Sequence, residues 1–221
     1  SISLVGQIYN MHGNLSLFLL TWMVLGLPII YFMRSSLVSQ LYLCGITYYA
    51  AETCYWSYPN HESYLYWLLL IAALPHYYSI SKNNPDSNFT HYHHWLVPLS
   101  LTITLGTIAY QTEELIFVAY MSLYSLFSII GHLDYFKNQK IRNNGYLILG
   151  ALGTISILFV LSYDWYWEQL RTKNISIHQI LGSVEFIASL IISIIALGLL
   201  YIEKRNKTMR DINPFEITFI L

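Results

Sequence analysis

Seven apolar stretches separated by polar breaks take up most of this chain. They run over 15–33, 37–55, 64–80, 95–110, 115–131, 144–163 and 183–202, each 16 to 20 residues long. About 20 helical residues at ~1.5 Å each cross a ~30 Å hydrocarbon layer, so the shorter stretches depend on their interfacial flanks. The pattern predicts an all-α fold: a polytopic transmembrane helical bundle with seven complete spans, in one domain over 1–221. Apolar residues also run to both ends, as Ser1-Ile2-Ser3-Leu4-Val5 and Ile217-Thr218-Phe219-Ile220-Leu221. That reads as a fragment of a longer protein, with a further span starting near 215.

Basic residues fall on alternate breaks. Arg34, Lys82, Lys137, Lys140, Arg142, Lys204, Arg205, Lys207 and Arg210 lie on one side of a seven-span arrangement, and only Arg171 and Lys173 on the other. Basic loops stay cytoplasmic. The Ser1 side is therefore expected outside and the segment after Ile202 inside. Merging or missing one span would scramble the split. A charged fraction of 10% against 55% hydrophobic residues agrees with a membrane protein, since soluble domains carry about 25% charged residues. Many of the 20 Tyr and 6 Trp sit at span ends, where amphipathic rings favour the headgroup level. Asp164-Trp165-Tyr166-Trp167-Glu168-Gln169 reads the same way, as an interfacial anchor. Cys44 and Cys54 lie on one predicted helix, about 15 Å apart along its axis, and cannot bond within it. Glycosylation sequons at Asn88 and Asn206 fall on the expected cytoplasmic side and read as accidental; a third is at Asn174.

Ionisable residues inside spans are costly and are functional candidates by default. Glu52 and Glu185 lie near the outer ends of the second and seventh spans. On the seventh, Gly182, Glu185, Ser189, Ser193 and Ala196 recur every three or four residues and make one small, polar stripe that has to face protein or water. Tyr120, Tyr124, Ser128 and Gly131 make a similar stripe on the fifth. Helix packing explains both stripes. The functional alternative is an outward-facing acidic cavity holding Glu52 and Glu185, with Glu113, Glu114 and Asp164 at its rim, attracting protons or cations.

Histidines gather at the other side: His76, then His91, His93 and His94, then His132 with Asp134. They read as polar interfacial residues, as a transition-metal site, or as a pH-responsive element. His91-Tyr92-His93-His94 is similar to one His cluster of membrane di-iron enzymes, which carry several. The chain has no His-Glu-x-x-His, no Cys-x-x-Cys, no Gly-rich phosphate loop and no nucleophile elbow. No basic patch is large enough for nucleic acid. Lys204–Arg210 reads as a cytoplasmic stop with affinity for anionic lipid.

Gln7-Ile8-Tyr9-Asn10, Gly13-Asn14, Trp22, Leu27-Pro28 and Arg34-Ser35 resemble a bacterial family of multi-pass membrane proteins classed as a domain of unknown function. The likeness covers the first 60 residues; Asn14 stands where that family often has an acid. It implies a helical membrane fold in a bacterial plasma membrane and no particular activity. The leading expectation is therefore a non-enzymatic transport or permeation component, or a membrane sensor, with no cofactor and with lipid as its constant partner. A metal-dependent membrane enzyme using the inner histidines is one alternative. A structural subunit, in a homo-oligomer or with a membrane-complex partner, is the other.

Overall fold

A computed structural model of the protein describes residues 15–56, 64–109, 115–137, 139–172 and 177–205. They are helical throughout, with no strand among them. The chain divides into two compact units, Ser1–Leu96 and Val97–Leu221.

The first unit holds α1 (Leu15–Met33), α2 (Ser36–Ala51), α3 (Tyr64–Asn83) and the opening of α4 (Asn88–Leu105). A two-residue turn joins α1 to α2. Arg34 takes a left-handed φ of 46°, and the Ser35 hydroxyl accepts from the Val38 N–H at the start of α2. Glu52–Trp56 then continue α2 as one wider, π-helical turn. α1, α2 and α3 pack on one another. Proline removes a helix donor, and Pro75 does so inside α3. In that same turn the Tyr31 hydroxyl of α1 donates to the Ala72 carbonyl. The buried Tyr42 hydroxyl of α2 donates to the Leu69 carbonyl at 3.1 Å.

In the second unit α4 ends in a 3-10 turn, Gly106–Ile108. It is followed by α5 (Ile116–Gly131), short α6 (Asp134–Lys137), a 3-10 turn Ile141–Asn143, α7 (Gly145–Leu161), α8 (Asp164–Thr172), α9 (Ile177–Gly182) and α10 (Val184–Arg205). The centre is α5, which packs on both α7 and α10 and has no exposed residue. Toward α7 the approach is close. A Cβ on Gly131 would lie 2.8 Å from the Leu147 nitrogen and 2.9 Å from its Cα; one on Gly150 would lie 3.0 Å from the Ser128 nitrogen and the Tyr124 oxygen. Asn144 ties this pair: its Oδ1 accepts from the Leu147 N–H, capping α7, and its Nδ2 donates to the Gly131 carbonyl at 2.8 Å. Toward α10 the packing is aliphatic, Leu126 and Ile129 against Ala196 and Leu200. At the far end of α7 the Trp167 indole N–H donates to the Leu161 carbonyl, so this ring caps a helix.

A helix covers each of the seven expected stretches, but only Leu15–Met33 and Val184–Ile202 are both long and apolar enough to cross a membrane on their own. Ile116–Gly131 and Gly145–Leu161 are apolar but shorter. The helices of 64–83 and 88–105 are diluted by histidine, tyrosine, serine and proline. The outer faces of α1, α7 and α10 expose many large apolar side chains, including Leu25, Phe32, Ile155, Phe159, Ile194 and Ile202.

Candidate functional sites

Each unit buries one polar group on helices that are otherwise largely apolar. In the second unit the group lies along α10. Ser183 caps the helix, accepting from the Phe186 N–H at 3.2 Å. That places Glu185 in the first turn, where the helix dipole favours a negative charge. Glu185 is completely buried. One and two turns on, Ser189 and Ser193 point at α5: the hydroxyls of Ser189 and Ser122 meet at 2.7 Å, and the Ser193 hydroxyl reaches Ser122 at 3.4 Å. Ser189, Ser193 and Ala196 of the expected stripe therefore form a seam against α5. Gly182 is exposed and does not belong to it. The tyrosine stripe on α5 faces the opposite way: Tyr124 and Ser128 lie against Gly150, and the Tyr120 hydroxyl donates to the Thr102 carbonyl at 3.0 Å.

The other acidic candidates are placed differently. Asp164 is exposed at the start of α8. Glu52 is half-buried in the π-helical turn and belongs to the first unit, while Glu185 and Asp164 belong to the second. Glu113 and Glu114 lie outside the described residues.

In the first unit the polar group is aromatic. His91, His93 and His94 do not form a loop: α4 starts at Asn88, one to two turns ahead of the apolar stretch, and carries them. His93 and His94 are buried. His93 Nδ1 donates to its own Phe89 carbonyl at 2.7 Å, which leaves Nε2 to accept from the Ser39 hydroxyl of α2 at 3.0 Å. His94 Nδ1 meets the Tyr77 hydroxyl of α3 at 2.7 Å. The Tyr77 ring also stacks on His93, with centroids 5.9 Å apart. His76, one residue before Tyr77, is 6% exposed; its ring meets Tyr31 edge-on, and its Nε2 has no hydrogen-bond partner. His93 and His94 precede the apolar stretch from Trp95. Burial lowers the His93 pKa below the ordinary 6.5, against the opposing pull of the Phe89 hydrogen bond. His94 is lowered to about 4, by burial first and then by His91 and His93 beside it.

Among the described residues no group of three or more His, Cys, Asp or Glu side chains is placed to hold a metal ion. Several of the expected donors have other partners, and His132 and Asp134 belong to the second unit. His93 and His94 bond as above, His132 Nδ1 donates to the Ser128 carbonyl at 2.7 Å, and Asp134 pairs with Lys137 at 2.7 Å. Ser39, Tyr77 and Tyr31, which complete the histidine group, carry no signal in the sequence; Ser39 stands 54 residues from His93.

In comparisons with known proteins, no family model, curated protein or solved structure matches this chain.

Proposed function

We propose that this is a multi-pass integral membrane protein that lets protons or small cations through the bilayer, with Glu185 on their path. The observation that carries this is Glu185 itself. A carboxyl group buried completely on a helix long and apolar enough to span a membrane is costly, and such residues mark ion or proton pathways. The hydroxyls of Ser189, Ser193 and Ser122 continue the polar seam down the α5–α10 contact. The apolar outer faces of α1, α7 and α10 suit lipid contact. The alternating basic breaks support seven spans with the Ser1 side outside and the segment after Ile202 cytoplasmic. A bacterial plasma membrane follows from the resemblance in the first 60 residues.

The test is proton and potassium flux into liposomes reconstituted with the full-length protein. Glu185→Gln, which keeps shape and removes charge, should abolish flux; Asp164→Asn, at an exposed position, should leave most of it. No flux above protein-free liposomes would end the transport reading. One observation favours a second reading, a structural or assembly subunit: the 2.7 Å contact of Ser122 with Ser189 closes the seam as a packing interface does. Absence of flux together with stable co-purification of a membrane partner would establish that reading instead.

A further inference from the structure

We propose that the buried imidazole group of the first unit, His76, His93 and His94, is a proton-accepting site, and that proton uptake there loosens α4 from α2 and α3. This rests on the geometry of the group and is independent of the transport reading.

In the neutral state His93 is fully satisfied. Nδ1–H donates to Phe89, and Nε2 accepts from Ser39. A proton added to the Nε2 lone pair turns that nitrogen into a donor. Ser39 must then accept, and its own O–H has to turn away from the ring to another acceptor such as the Ser35 carbonyl, one turn back, which would hold it alongside the Ser39 N–H. The contact between α4 and α2 as it stands therefore holds a neutral ring, and protonation reverses it. His94 repeats the logic toward α3. While Tyr77 donates to Nδ1 the ring is neutral, and a proton on Nδ1 reverses the bond and releases the Tyr77 O–H. Because Tyr77 also stacks on His93, one tyrosine feels a proton on either ring. His76 adds an Nε2 that is buried and without a hydrogen-bond partner, an atom that gains from protonation only when water reaches it.

The charges nearby do not neutralise an imidazolium here. α1 presents Tyr31, and Arg34 follows its last residue. α2 presents Tyr42 and has no Asp, Glu, Lys, Arg or His. α3 contributes Tyr77 and ends near Lys82. α4 contributes His91, and the α3–α4 turn holds the exposed Asp86. None of the four α-helices carries a carboxylate; Glu52 stands in the π-helical turn that continues α2, at the opposite end of that helix from Ser39. A proton on these rings meets cationic ends and other imidazoles, so the charged state favours an arrangement with α4 displaced and the rings hydrated. The sign follows: rings kept neutral below their ordinary pKa make the closed arrangement lose stability as pH falls, from about 6.5 downward.

The experiment is amide hydrogen exchange on the full chain in detergent micelles, read as protection factors so that intrinsic exchange chemistry cancels. Between about pH 7.5 and about pH 5, amides of 36–44 and 88–96 should lose roughly tenfold or more in protection. His93→Gln with His94→Gln keeps donors and acceptors without a titrating charge, and should cut that loss to about twofold or less. His178→Gln, at an exposed position on α9, should lose protection as wild type does. Unchanged wild-type protection at about pH 5, or a double variant that tracks wild type, overturns the proposal. If the double variant does not fold, 15N spectra of the wild-type histidine rings decide. Imidazolium signals from His93 or His94 that appear as the pH is lowered through about 4, together with the loss of protection, support it, and rings still neutral well below that pH overturn it.

Discussion

Replacing Gly131 by alanine puts a methyl group where α5 and α7 meet backbone to backbone. The added carbon would sit 2.8 Å from the Leu147 nitrogen, about 0.6 Å inside the 3.4 Å at which ordinary contact begins. The obstacle is a helix backbone rather than a swinging side-chain tip, so the helices must separate by about that amount. Overpacking of this kind costs about 1–3 kcal/mol. The same movement stretches the 2.8 Å bond from Asn144 to the Gly131 carbonyl toward the edge of hydrogen-bonding range, a further loss of about 1 kcal/mol. Better helix propensity of alanine returns less than about 1 kcal/mol, because Gly131 is the last residue of α5. The net expectation is a loss of about 2–3 kcal/mol. Reversible unfolding in mixed detergent micelles, followed by circular dichroism, measures it. Gly198→Ala is the matched control: it lies inside α10 with nothing within 4 Å of the new carbon, and should be neutral or stabilising. A Gly131→Ala protein as stable as wild type, or a Gly198→Ala protein that loses as much, would refute the close-approach argument.

Other outcomes follow from the same contacts. Arg34→Gly should stabilise the α1–α2 turn by up to about 1 kcal/mol, because glycine adopts the left-handed φ of 46° without strain, whereas Arg34→Val should destabilise; the same unfolding titration reads both. Asn144→Ala removes a helix cap and a buried donor together and should cost about 2–3 kcal/mol, with Asn144→Asp recovering only the cap. In a double-mutant cycle, Ser122→Ala and Ser189→Ala should show a coupling of about 0.5–1 kcal/mol; additive effects would mean that the 2.7 Å contact contributes nothing.

Helix positions were readable from hydropathy because, in the proposed membrane setting, a helix that meets lipid on its outer side needs an apolar run. The prediction slipped where that condition fails. α4 begins at Asn88 rather than Trp95, since its first turns are covered by protein through His93, His94 and Ser39 and so need not be apolar. The three-to-four spacing found the α10 seam from Ser189 to Ala196, yet included Gly182, which precedes the Ser183 cap and belongs to α9. The histidine group was seen as a local cluster, but the partners that define its state come from other helices. A one-dimensional pattern carries no trace of the pairing of Tyr77 with His94 or of Ser39 with His93. The Trp167 bond to Leu161 was hidden similarly, because an indole at a span end already has a sufficient reason to be there.

The enclosure of α5 has a consequence for how the chain is made. Shielded by α7 on one side and α10 on the other, α5 can carry Ser122, Ser125 and Ser128 without presenting them to lipid in the finished protein. During synthesis that shelter arrives in two instalments. Asn144, 13 residues after Gly131, clamps the start of α7, whereas Ser189 emerges 67 residues after Ser122. In the proposed membrane setting, the Ser122 side of α5 therefore spends an interval of translation with no helix to meet it. A nascent chain halted before α10 should be the form that an insertase or membrane quality-control protease recognises.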